Sequence, residues 1–166
     1  MLRKVMETCR RNLILFGVFN IVFGLTIGFG LGVYSLPIHT AETGLDDAAI
    51  TARQSTTEQR GEFHRNLEGS DSLHWGEGII MVGNNAVWLD GSLSPGPDNR
   101  VYFAPIFVET EESLLAITPQ SVEVGSVKAF TNFTLQLSDG VNVDEFPAVV
   151  IWCEAFSQFI TAAELS

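Results

Sequence analysis

Cys153 ends the apolar run Val149-Val150-Ile151-Trp152-Cys153. A thiol can cycle between reduced and oxidised states, ligate a soft metal or attack an electrophile, and each use requires access to the sulfur. In an extended strand Cys153 shares a face with Ile151 and Val149, while Trp152 and Glu154 face the other way. The same pattern suits a small buried hydrophobe, because free cysteine is among the most buried residue types. No Arg or Lys stands next to Cys153 in sequence to favour the thiolate. The second cysteine, Cys9, lies on the far side of a long apolar segment, so the two are not expected to pair.

Other chemistry-bearing residues are few. A blue-copper centre needs two His, one Cys and a weak axial ligand. His74, Cys153 and Met81 fall one His short, unless His64 supplies it from a polar stretch. Iron–sulfur ligation usually takes four thiolates, and no C-x-x-C-H is present for haem attachment. Gly-rich phosphate loops, G-x-S-x-G and H-E-x-x-H are also absent. No metal site or cofactor is assigned. Asp98 follows Gly96-Pro97, where its side chain suits a turn more than a cation. Arg100 can pair with Asp98 or Glu154. Lys128 is the one lysine after residue 39, with an ion pair as its default. His74 reads as a satisfied polar residue and Trp152 as core. Asn132-Phe133-Thr134 is a glycosylation sequon that only a eukaryotic secretory host would use.

The elements that position these residues are short strands. Leu73 to Met81, the turn Gly83-Asn84-Asn85, and Ala86 to Leu89 predict a hairpin. In Arg100 to Ala104, Val101 and Phe103 share one face and Tyr102 takes the other. Ile106–Val108, Leu114–Thr118, Val122–Lys128, Phe133–Leu137, Ala148–Cys153 and Phe156–Leu165 are further candidates. Ala148–Cys153 is almost wholly apolar, as a strand buried on both faces should be. About eight strands without βαβ alternation predict an all-β fold, an antiparallel sandwich or small barrel, over residues 73–166.

Ahead of it lies a membrane segment. No charge occurs from Asn12 to Pro37, and Leu13 to Leu36 is continuously apolar. Twenty-four helical residues reach about 36 Å, enough for a hydrocarbon core of about 30 Å. That length favours an uncleaved anchor over a signal segment. Arg3, Lys4, Arg10 and Arg11 precede it, opposed only by Glu7, and Glu42, Asp46 and Asp47 follow it. The bias predicts residues 1–12 in the cytoplasm and the C-terminal domain outside, in the periplasm or at the cell surface. Gly24, Gly28 and Gly32 share a helix face that suits a homodimer, or simply reflect the frequency of glycine in membrane helices. Residues 37–72 are polar and read as a tether. Beyond residue 39, five basic residues stand against nineteen acids, a balance of −14. Such a surface repels phosphate backbones and argues against nucleic acid as a partner.

Three segments, Leu73-His74-Trp75-Gly76-Glu77-Gly78, Gly96-Pro97-Asp98-Asn99-Arg100-Val101-Tyr102-Phe103 and Val149 to Phe156, together resemble the DM-thirteen domain family. That family shows a G-P-D-x-x-V-Y-L-like segment, a Gly-x-(Leu/Val)-Lys step, here Gly125 to Lys128, and V-V-I-W-C-x-x-F near its end. Phe103-Ala104 departs from its common Leu-Ser, and Phe133 or Leu135 stands where a Tyr is usual. The resemblance covers roughly Leu73 to Leu165. It implies a β-domain acting in electron transfer or redox modification, beside haem-binding and cytochrome b-type modules in larger members. Its suspected redox residue maps onto Cys153, with Tyr102, Asp98, Lys128, Trp152 and His74 in the shared segments. The expected function is an anchored redox domain with a membrane redox partner; the alternative is a non-catalytic binding or structural module held at the membrane face.

Overall fold

A computed structural model describes residues 12–83 and 85–166. The basic segment, Cys9 and the turn residue Asn84 fall outside the described residues. The chain divides into two units, Met1–His39 and Thr40–Ser166.

In the first unit, helix α1 spans Leu13–Thr40. It is long and apolar enough to cross a membrane, with a mean hydropathy of 2.1 and no buried residue. It runs past the expected end at Leu36, through Pro37. Its polar side chains close on the helix itself: Asn20 Nδ2 donates to Phe16 O at 2.7 Å and Thr26 Oγ1 to Val22 O at 2.9 Å. Such internal bonds are how polar side chains on an apolar helix are satisfied without water.

The second unit is a sandwich of two four-stranded antiparallel sheets. The first has the order β1 (Gln59–Phe63), β2 (Gly76–Gly83), β3 (Ala86–Leu93), β6 (Thr134–Gln136). The second has the order β5 (Val122–Ser126), β4 (Asn99–Ala104), β7 (Ala148–Cys153), β8 (Gln158–Glu164). One edge is joined, because Arg60 on β1 exchanges both backbone hydrogen bonds with Ser166 at 3.0 Å. The strands approach so closely there that a Cβ on Gly61 would lie 2.3 Å from Glu164 O.

The core between the sheets follows the alternation of the strands. Ile80, Val82, Val87, Leu89 and Leu93 face Val101, Phe103, Val149, Ile151 and Cys153. The outer faces are apolar too, and helices cover them. On the first sheet, α2 (Asp47–Gln54) lays Ile50 against Met81, Ala86 and Trp88. On the second, α3 (Glu111–Ile117) lays Leu114 and Ile117 against Tyr102, Val150, Trp152 and Phe159. Double coverage is why every residue of β7 is buried.

Two expectations need correction. Leu114–Thr118 is helical, not a strand: Thr110 and Ser113 form a reciprocal cap at its start, and Ile117 follows Leu114 at a helical interval. Ile106–Val108 is likewise outside any strand. The polar segment 37–72 is largely folded. It supplies α2 and β1, with Ile50 and Phe63 buried, and Asp46 caps α2 by accepting from Ala49 N at 2.7 Å.

Candidate functional site

Cys153 closes β7 at one end of the sandwich. Its ladder partner on β4 is Asn99 and its partner on β8 is Gln158. Directly opposed side chains in an antiparallel pair share a face, so Asn99 and Cys153 project together into the inter-sheet core. Cys153 is 2% exposed and Asn99 0%.

Asn99 is held in place by its surroundings. Its Nδ2 donates to Ser94 O at 3.0 Å, and its backbone carbonyl accepts from Val127 N at 2.7 Å. Its Oδ1 lies against Gly96, where a Cβ would come within 2.2 Å of it. That Oδ1 is buried and has no hydrogen-bond partner. Thr161 Oγ1 is a second buried, unpartnered oxygen. Thr161 pairs with Ile151, one step further into the sheet from Cys153. A buried acceptor without a donor costs about 1–3 kcal/mol. Two such atoms, on residues paired with Cys153 and Ile151, give this end of the core a polarity that its aliphatic lining does not need. The β7–β8 turn follows Cys153 directly; its residues 154–157 are exposed and its Ser157 has φ +50°.

On the outer face of the same sheet lies a charged network. Arg100 donates from Nε to Asp98 Oδ1 at 3.0 Å, from Nη2 to Asp98 Oδ2 at 3.1 Å and from Nη1 to Glu123 Oε1 at 2.7 Å. These bonds, Asp98 first, hold the guanidinium protonated even more firmly than usual. Tyr102 Oη donates to Glu154 Oε1 and lies 3.4 Å from Glu123 Oε2. Burial foremost, then the hydrogen bond to Glu154 and the charges of Glu123 and Glu154, push the Tyr102 phenol well above its ordinary pKa. A bulge creates this meeting. Val101 pairs with Gly125 but Tyr102 pairs with Glu123, so Val124 is the extra residue. Without it Glu123 would fall opposite Phe103, on the core face.

The remaining expected residues are placed as follows. His74 Nδ1 lies 3.0 Å from Asp71 Oδ2, and Asp71 Oδ1 accepts from the backbone N–H of Leu73 and His74 at 2.7 and 2.8 Å. The bond from His74, then those backbone donors, holds the Asp71 carboxyl below its ordinary value. His74 thus sits in a loop, not on a strand. Met81 belongs to the helix-covered outer face of the first sheet, away from the core face of Cys153. The copper set is therefore not assembled. Among the described residues no three His, Cys, Asp or Glu side chains form a group that could hold a metal ion. Lys128 Nζ lies 3.8 Å from Glu42, both exposed. Trp152 is core, under α3. Asp98 bonds Arg100 through its side chain and receives Glu154 N–H at its carbonyl, 3.0 Å away. Asn132 of the sequon accepts from Gly91 N at 3.0 Å and donates to Leu45 O at 3.2 Å. Its amide is committed to the fold.

The profile of the electron transfer DM13 family matches residues 66–165. The chain belongs to that family. No curated protein and no solved structure matches it. The DM13 match contains Cys153, Asn99, Thr161 and the Tyr102 network, whereas β1 and α2 precede it. Sequence reasoning missed Asn99 and Thr161. For Asn99 the signal was present, since it shares alternation with Val101 and Phe103 and so had to be a polar residue on an apolar face. For Thr161 there was none, because β8 is buried along most of its length.

Proposed function

We propose that this DM13 chain is a membrane-anchored redox module on the outer side of the membrane, with Cys153 as its redox group. One observation supports the assignment: Asn99, whose buried Oδ1 has no partner, stands across the ladder from Cys153. A reduced thiol is a weak donor and leaves that acceptor idle. A sulfenic acid has an O–H that Asn99 can receive. With an oxidant of the peroxide class, the sulfur lone pair attacks the distal oxygen. The S–O bond forms as the O–O bond breaks, and the thiol proton leaves with the departing oxygen as alcohol or water. A thiol reductant then attacks the sulfenic sulfur, forming a mixed disulfide and releasing water. The anchor, α1, keeps this chemistry close to a membrane redox partner. Its face of Gly24, Gly28 and Gly32 is proposed as a contact between two copies.

The near-complete enclosure of Cys153 favours a second reading, in which the thiol is packing and the domain a structural or binding module. The two separate in one experiment on the full chain carrying Cys9→Ser. After peroxide treatment, a sulfenic-acid-specific carbon nucleophile should label Cys153 in the native protein within minutes. Labelling only after denaturant supports the packing role and sinks the redox assignment.

A further inference from the structure

We propose that Tyr102 and Glu154 form a second redox site, at which the phenol yields one electron to a strong one-electron oxidant while its proton passes to the Glu154 carboxylate. The oxidant is of the class of high-valent metal centres or organic radicals, presented by a partner. The balance is simple. Tyr–OH and Glu–COO⁻ become a neutral tyrosyl radical and Glu–COOH, and one electron leaves. Reduction returns the electron and the proton by the same path. This goes beyond the thiol chemistry at Cys153 and does not depend on it.

Four observations carry the inference. First, the proton acceptor is in place, since Tyr102 Oη donates to Glu154 Oε1. An oxidised phenol is far more acidic than a phenol, so an acceptor already hydrogen-bonded removes the need for rearrangement in the electron-transfer step. Second, a second carboxylate, Glu123, stands 3.4 Å from the same oxygen. It reaches there only because of the bulge at Val124. A structural hydroxyl needs one acceptor of any kind; here two bases compete for one proton. Third, Arg100 ties Glu123 and Asp98 together, which holds the second carboxylate beside the phenol. Fourth, the ring is 9% exposed and packs with Val150, Trp152 and α3, which shields a radical from solvent, while the oxygen reaches the charged rim. Trp152 lies diagonally across the β4–β7 ladder on the same face, within reach of an aromatic ring. Burial and the two carboxylates also suppress ordinary ionisation of the phenol, so the proton leaves with the electron and not before it.

The chain has two tyrosines, Tyr34 and Tyr102. The test therefore uses the full chain with Tyr34→Phe in detergent, oxidised by a photogenerated ruthenium(III) polypyridyl complex and freeze-quenched for electron paramagnetic resonance. A tyrosyl signal is expected, absent in Tyr102→Phe. Its formation should slow at least tenfold in Glu123→Gln/Glu154→Gln and show a solvent deuterium isotope effect in the parent. Circular dichroism confirms that each variant is folded. No tyrosyl signal from the folded parent, or formation equally fast in the double variant, overturns the proposal. Labelling at Cys153 is a separate readout, and neither result decides the other.

Discussion

Asn99 on β4 and Cys153 on β7 stand directly opposite each other across an antiparallel ladder, both sealed inside the core. The pair is set by the loop before β4. Ser94 O holds the Asn99 amide, and Gly96 leaves the space in which Oδ1 rests. The Gly-Pro-Asp segment thus shapes the surroundings of the thiol from inside the fold, while its Asp98 serves the charged network outside.

Gly96→Ala should therefore act at a distance from its own exposure. The new Cβ would sit 2.2 Å from Asn99 Oδ1, so the amide must move. A cost of about 1–3 kcal/mol is expected, as for overpacking. Chemical denaturation measures it, and sulfenic labelling at Cys153 should fall in the same variant. Unchanged stability would show that Oδ1 is not confined as described.

The segment ahead of the DM13 match offers a sharper test. If residues 40–72 were a spacer, Ile50 and Phe63 would be replaceable. Both are buried, one under the first sheet and one between the sheets. Ile50→Ala should cost about 2–5 kcal/mol and Phe63→Ala about 3–5 kcal/mol. Denaturation midpoints within error of the parent for both would return this stretch to the role of a tether.

That segment also shows what the sequence could and could not reveal. The strands of the second sheet were legible because β4 alternates and β7 is uniformly apolar, and both patterns have direct structural causes. Two of the three DM13 segments lie in or beside the same strands, and the third leads into β2 of the first sheet. The two short helices of the second unit were not legible. α2 buries one aliphatic residue, Ile50, and α3 spans seven residues, so neither presents a stripe long enough to show a helical period. β1 reads Gln-Arg-Gly-Glu-Phe, with only its last residue buried. Its membership rests on pairing with β2 and with Ser166, which are long-range contacts. The bulge that turns Glu123 toward Tyr102 is equally a property of register, invisible in either strand alone.

Alkaline stability should report Tyr102. Its folded-state pKa lies above the ordinary 10.0. Above pH 10.0 the unfolded chain releases the phenolic proton while the folded chain retains it, so the unfolded state binds fewer protons and stability falls as pH rises. The contribution is fully present below that pH. In a Tyr34→Phe background, urea midpoints from about pH 9 to about pH 11 should fall more steeply than in Tyr34→Phe/Tyr102→Phe. Parallel curves would mean the phenol ionises as it does in water.

Topology can be settled with the cysteines as reporters. Four basic residues precede α1 and acidic ones follow it, and orientation is governed by the basic residues near the span. The acidic domain itself contributes little to that choice, since acids carry little weight in the rule. Cys153 is sealed in the core and makes a poor target for a bulky reagent. Ser138→Cys introduces an exposed thiol in the loop after β6. A membrane-impermeant maleimide applied to intact cells should label this new thiol and spare Cys9, which should react only after permeabilisation. Replacing Arg3, Lys4, Arg10 and Arg11 by Gln removes the bias and should yield a mixture of orientations. Labelling of Cys9 in intact cells, with the Ser138→Cys thiol protected, would place the DM13 domain inside and remove the basis for an external redox partner.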